Sequence, residues 1–271
     1  MKYLVSDFNL TDSIAGGSEL VDDTVIKALD LIYVRSRDYK PKQGDRLILS
    51  NISTMSQETI DYIRDNCKYI ILEHDYKIHW TRHPWRFKDS IIPKHERINY
   101  SLYKNALAVY TQTDDHKQVF LDNEVEANFI SLNCSIWSEE ELERLSSLQD
   151  NKKTYKFAVI DSDNWIKNKQ GAEQFCTFNK IAYELVPKLS YDSFMKKLSE
   201  FPALVFFPVA RETCCRLLVE AKCMNMNIIT NNNSGAFRSM WFEYSGQELV
   251  SYLRDSSKRN LDLIKEVLTD V

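Results

Sequence analysis

Two glutamates eight residues apart, Glu212 and Glu220, stand in the segment 204–235, LVFFPVARETCCRLLVEAKCMNMNIITNNNSG. At about 100° per residue they fall roughly 80° apart and two turns displaced along one side of a helix, so both reach one elongated ligand. The amides of Thr213, Cys214 and Cys215 would open that helix and offer unpaired donors to a phosphate. Glu220 sits inside CRLLVEAKCM, among apolar neighbours, and a carboxylate buried there requires a partner.

Three other stretches carry residues suited to chemistry. His74-Asp75 ends the apolar run YIILE, and a histidine there can donate to a hydroxyl or accept a proton. The stretch 77–97, KIHWTRHPWRFKDSIIPKHER, interleaves Lys77, Arg82, Arg86, Lys88, Lys94 and Arg97 with Trp80, Trp85 and Phe87. Cations beside aromatic faces suit phosphodiesters and extruded bases, a membrane surface, or a glycan stacked on tryptophan. Near the amino terminus, Ala15-Gly16-Gly17-Ser18-Glu19 precedes an amphipathic run over Leu20 to Leu29. Glycines there allow positive φ and close approach of backbone to a ligand, and Ser18 can cap the helix.

Glu212 through Glu220 resembles the E-x7-E motif of retaining glycosyltransferases with the GT-B fold, family 4 in particular, and NIITNNNSGA is similar to the strand and loop that follow that motif. The resemblance implies that Glu212 lies by the transferred sugar, in the catalytic position, and Glu220 by the nucleotide ribose hydroxyls. Gly16 and Gly17 match a GG-x-E loop that faces the donor, and His74 matches a catalytic-side histidine near the acceptor. Either Lys167 or Lys169, both ahead of Gly171, matches a lysine that contacts the donor diphosphate, whose charge must be neutralised as it departs. The arginine that usually precedes that lysine is missing, since the region reads Asp161-Ser162-Asp163.

The implied activity is transfer of a hexosyl or pentosyl group from a nucleotide-diphosphate sugar to a hydroxyl acceptor, with retention and with no metal or bound cofactor. Asp75, Lys77, Trp80, Arg82, Trp85 and Arg86 form the acceptor side. The acceptor stays open among a modified, hydroxymethylated DNA base, a polysaccharide, a lipid-linked sugar and a protein. Two other readings stand beside this one. The DSD at 161–163 resembles the metal-binding DxD of the GT-A fold, in which Asp161 and Asp163 would hold a divalent cation. A non-catalytic protein binding nucleotide sugar or nucleic acid would retain the same scaffold.

The elements that must position these residues alternate along the chain. Short apolar runs at 3–8, 30–34, 46–50, 68–73, 106–111 and 128–132, with helical patterns at 57–66, 100–105 and 114–121, predict a Rossmann-like α/β domain over residues 1–136 with a mostly parallel sheet. The charged stretch 138–153 is helical or linker without a strong core face, and it separates the domains as a linker over 137–153. A second domain over 154–246 repeats the alternation, with strands at 155–160, 182–185, 204–209 and 227–230 and helices from Lys169 and over Tyr191 to Leu198. The helical run 247–271 follows, and the resemblance implies that it crosses back to the first domain. The expected architecture is therefore α/β and GT-B-like, two Rossmann-like domains facing across a cleft, the second compact.

With 271 residues, 44% hydrophobic and 27% charged, the composition is that of a soluble globular chain, and disorder is not expected. A formal net charge of -4 provides no global attraction to nucleic acid or anionic membrane, so such a partner must meet a local basic patch. Six cysteines without CxxC spacing suggest free thiols in a reducing cytoplasm, not a disulfide framework or a zinc site. No run approaches a membrane span and MKYLVSDFNL is too short an apolar stretch for a signal peptide, so a cytoplasmic location is expected.

Overall fold

The computed structural model describes residues 1–10 and 16–269, and the chain divides into two units. Ala15, ahead of the glycine pair, lies outside the described residues. The first unit comprises Met1–Trp137 with Ser256–Val271. Its strands are β1 (Lys2–Ser6), β2 (Ile32–Arg35), β3 (Arg46–Leu49), β4 (Lys68–Leu72), β5 (Val109–Thr111) and β6 (Phe129–Ser131). They form one parallel sheet in the order β2-β1-β3-β4-β5-β6. The helices between them are α1 (Gly17–Leu29), α2 (Gln57–Asn66), α3 (Tyr100–Lys104) and α4 (Asp114–Asp122).

Period-two alternation along these strands feeds two cores, because successive side chains leave opposite faces of a sheet. Val5, Leu47, Leu49, Tyr69, Ile71 and Val109 pack with Ile60 and Ile63 of α2, Leu102 and Tyr103 of α3, and Val119 and Phe120 of α4. On the other face, Leu4, Ile48, Ile70, Leu72, Ala108 and Tyr110 pack with Val21 and Val25 of α1 and with Ile264 and Leu268 near the end of the chain. Burial on both faces explains why the strands read as nearly continuous apolar runs.

The second unit, Ser138–Asp255, holds β7 (Phe157–Ile160), β8 (Tyr183–Val186), β9 (Ala203–Phe206) and β10 (Asn227–Thr230), parallel and ordered β10-β9-β7-β8. Its helices are α5 (Glu139–Ser147), α6 (Lys169–Phe178), α7 (Tyr191–Leu198), α8 (Arg216–Cys223) and the start of α9 (Gly246–Thr269). Val159 and Val205 pack on Ala172 and Cys176 of α6.

Three readings require correction. The stretch 138–153 has a core face: Ser138 and Glu141 cap α5 reciprocally, the Glu141 amide donating to Ser138 Oγ at 3.2 Å and the Ser138 amide to Glu141 Oε2 at 2.9 Å, and Leu142 and Leu145 are fully buried. Second, α1 is capped by Glu19, whose Oε2 accepts the Gly16 amide at 2.6 Å, and Ser18 lies inside the helix with its hydroxyl donating to Glu19. Gly16 is extended, at φ -136°, and neither it nor Gly17 needs a positive φ. Third, α8 starts at Arg216, so Thr213, Cys214 and Cys215 lie ahead of its first turn. Cys67, Cys176, Cys215 and Cys223 are free thiols. Among the described residues no helix is long and apolar enough to cross a membrane.

Candidate functional site

In the second sheet the chain order reverses between β7 and β9, and ligands of open parallel sheets collect outside the carboxyl ends of strands at such a point. Lys167 and Glu212 arrive there from the segments after these two strands. A single 3-10 turn, Trp165–Lys167, is capped by Asn164, whose Oδ1 accepts the Ile166 amide at 3.1 Å. The carbonyl of Ile166 accepts the Val209 amide at 2.8 Å, which ties this turn to the segment after β9. Lys167 Nζ meets Glu212 Oε1 at 2.7 Å and stands 5.7 Å from the Phe206 ring centroid. Burial works against the charge on Lys167, but the neighbouring Glu212 more than offsets it, so the ammonium is held above the usual lysine range.

The two lysines have different fates. Lys169, in the first turn of α6, binds Asp161 at 2.8 Å instead. Asp161 is thereby occupied and Asp163 is exposed; among the described residues no three His, Cys, Asp or Glu side chains are grouped to hold a metal ion.

Glu212 lies in extended backbone, not on a helix. Its amide donates to the Asn233 carbonyl and its carbonyl accepts the Gly235 amide, both at 2.9 Å, forming a parallel bridge between Glu212 and Ser234. Ser234 Oγ donates to the Cys214 carbonyl at 2.9 Å, and Cys215 caps α8 with φ +70°. This pairing claims the backbone groups that a helix starting at Thr213 would need. The helical 80° relation between Glu212 and Glu220 therefore does not hold.

Glu220 is 4% exposed on α8. Tyr191, at the start of α7, donates its hydroxyl to Glu220 Oε1 at 3.0 Å, and Arg216 Nε stands 3.7 Å from the same oxygen. Arg216 Nη2 also meets Glu141 Oε1 of α5 at 2.6 Å. Burial raises the Glu220 carboxyl above its ordinary range, with Arg216 and Tyr191 opposing. Sequence reasoning missed Tyr191 and Arg216 as its partners, and Glu141 as the second partner of Arg216. Only the apolar flanks of Glu220 signalled that partners had to exist.

The first unit carries a second polar group at its sheet edge. Glu73, immediately after β4, is fully buried and takes hydrogen bonds from Lys77 Nζ and the Tyr103 hydroxyl. Burial raises the Glu73 carboxyl, against Lys77. Asp75 accepts from Arg82 Nη1 at 2.8 Å; burial would raise its pKa, but Lys77 and Arg82 hold it well below the carboxylate range. His74 Nε2 lies 3.1 Å from Asp22 Oδ1 and its Nδ1 lies 3.3 Å from Gln112 Nε2, so both ring nitrogens have partners. Asp7, at the end of β1, accepts from Ser36, Thr54 and Ser53.

The basic stretch 77–97 is consequently not one cationic surface. Lys77 and Arg82 turn inward to Glu73 and Asp75, while Lys94 and Arg97 both meet Glu124. Among the described residues Arg86 and Lys88 are exposed without an ion pair, and Arg86 lies over Trp85 at 5.9 Å. Trp80 is 74% exposed beside His79. Gly16 and Gly17 sit at the amino end of α1, six and five residues before the Asp22 that holds His74.

No family model matches the chain, and no curated protein matches it. Solved structures do share its fold. Anabaena HepE in complex with UDP is 11% identical with a TM-score of 0.51, over 98% of this chain and 94% of that one. HepE in complex with UDP and glucose is 12% identical with a TM-score of 0.50, over 99% and 92%. A chain of the GtfA/B complex is 9% identical with a TM-score of 0.44, over 84% of this chain, which spans 57% of its length. The two parallel-sheet α/β units thus have the GT-B fold of glycosyltransferases.

Proposed function

We propose that the protein is a glycosyltransferase that takes a sugar from a nucleotide-diphosphate donor and passes it, with retention, to a hydroxyl acceptor. The observation that carries this reading is the meeting of Lys167 and Glu212 at the switch point of the second sheet, close in sequence to the buried Glu220. A lysine there supplies the charge that a departing diphosphate requires. Glu212, released from Lys167 as the diphosphate takes over the ammonium, accepts hydrogen bonds from sugar hydroxyls. Glu220 accepts from the ribose, its carboxylate aimed by Tyr191 and Arg216. Donor phosphates are met by protein groups alone in this scheme, without a metal. HepE, solved with UDP and with UDP-glucose on the same fold, supports a nucleotide sugar as the donor.

Thermal-shift titration with UDP-, GDP-, ADP- and dTDP-sugars tests the reading. At 100 times Kd a true donor adds about 2.7 kcal/mol of stability. Lys167→Ala should weaken that donor at least tenfold and Glu220→Ala should abolish the shift, whereas Lys169→Ala should change it less than twofold. If no nucleotide sugar raises the melting temperature, or if Lys167→Ala binds like the unmodified protein, the assignment fails.

A further inference from the structure

The carboxyl edge of the first sheet presents a donor and an acceptor that no described residue satisfies. Past the end of β3, the Ser50 hydroxyl donates to Asp22 Oδ1 at 2.8 Å, and past the end of β4, His74 reaches the same oxygen at 3.1 Å. One residue further along each of these strand ends, Asn51 Oδ1 and Asp75 Oδ2 both accept from Arg82 Nη1, at 2.5 and 2.8 Å. Asp22, from α1, and Arg82, from the loop after β4, therefore occupy neighbouring rungs of one edge. Asp22 is 2% exposed, and among the described residues its Oδ2 has no hydrogen-bond partner. Arg82 Nη2 is likewise buried without one, the nearest carboxylate, Asp7, standing 3.9 Å away.

Buried polar atoms are seldom left unmet, and each costs about 1–3 kcal/mol when it is. A hydroxyl both donates and accepts, so an unmet acceptor and an unmet donor on neighbouring rungs of one edge suit a group that carries several hydroxyls. The charge on this edge points the same way. Asp7, Glu73 and Asp75 face Lys77 and Arg82, and Asp22 faces His74, while His116 Nε2 donates to the Asp75 carbonyl at 2.6 Å and its Nδ1 takes the Gln112 amide at 3.1 Å, so the His116 ring is neutral. Carboxylates outnumber cations, and a phosphodiester brought here would meet repulsion.

We propose that this edge binds an uncharged polyhydroxylated group, a sugar or polyol, between Asp22 and Arg82. Its role as the acceptor of transfer rests on the glycosyltransferase reading above, whereas the binding itself does not. The field is wrong for DNA, despite the basic residues of the loop.

The unmodified full-length protein, without donor, is applied to an array of neutral, amino, phosphorylated and sulfated glycans and to a hydroxymethylcytosine DNA duplex. Neutral glycans should bind, with an affinity that changes less than twofold between 50 and 500 mM salt. Asp22→Asn and Arg82→Gln should each weaken that binding at least tenfold while keeping the melting temperature and any nucleotide-sugar shift. Should either variant fail to fold, the array on the unmodified protein decides by itself. Absence of neutral-glycan binding, binding confined to anionic ligands with a steep salt dependence, or unchanged binding in both folded variants overturns the proposal. Glycan binding without a response to any nucleotide sugar would retire the transferase reading and leave this site standing; nucleotide-sugar binding without glycans would do the reverse.

Discussion

His116 is fully buried, with Nε2 donating to the Asp75 carbonyl and Nδ1 accepting the Gln112 amide. Burial pushes its pKa down to about 3, against about 6.5 in an unfolded chain. The unfolded state therefore takes up the proton first. The stability this group contributes is complete above about pH 6.5 and declines as pH falls toward 3, by about 1.4 kcal/mol per pH unit. Urea unfolding at pH 7, 6 and 5 should show that slope, and His116→Phe should flatten it while lowering the midpoint at pH 7. An identical slope in the variant would rule His116 out as its source. Asp7 and Asp75 act further down. Burial raises both, but hydroxyl donors win at Asp7, and Lys77 and Arg82 win at Asp75. Their depressed carboxyls stabilise the fold above the ordinary carboxylate range, and that contribution goes as pH falls through their folded values. At this scale the sequence offered the residue types but not their pairing. Lys167 and Lys169 are two residues apart with equal claims on paper, and the 3-10 turn that sends one to Glu212 and the other to Asp161 is what separates them.

Among the elements, α5 and α8 depart most from expectation. The segment SEEELERLSS is dominated by charge, and its two leucines are too few for a periodic pattern to stand out. Packing nevertheless buries Leu142 and Leu145 completely. Leu145→Ala should cost about 2–5 kcal/mol, measured as the urea midpoint of the second unit, where a linker residue would cost almost nothing. The start of α8 was misread for a different reason. Thr213 and the cysteines are acceptable helix residues, and only the bridge to Ser234, contributed by a loop some twenty residues later, draws their backbone into extended pairing. By contrast α2, α7 and β10 begin and end where their patterns change, because each is bounded by a local signal such as the Ser56 cap of α2.

For the molecule as a whole, α9 matters beyond its own length, since Ser256–Thr269 belongs to the first unit. Ile264 and Leu268 pack with Leu4, Ile48, Val21 and Val25, and Arg46 Nη1 donates to the Leu268 carbonyl at 2.7 Å. A chain ending at Asp255 should lose about 3–6 kcal/mol from the first unit, two buried aliphatic side chains being worth about that much. Amide exchange should accelerate in β1 and β3 and stay slow in β7 and β9. Equal protection of β1 and β3 in the shortened chain would show that the helix is dispensable there.

Alternating apolar runs, breakers and caps are local properties, and they determined the parallel strands among the described residues, most of the helices between them and the two-part α/β architecture. They also marked Glu212, Glu220, His74 and Lys167 as residues worth following. Only the tertiary structure decided what those groups touch. It set Lys167 on Glu212, buried Glu220 against Tyr191 and Arg216, and turned Lys77 and Arg82 away from solvent onto Glu73 and Asp75. The physical reason is range: a helix or strand is specified by neighbours a few residues off, whereas desolvation and pairing of charge depend on segments that meet only when the sheet has assembled.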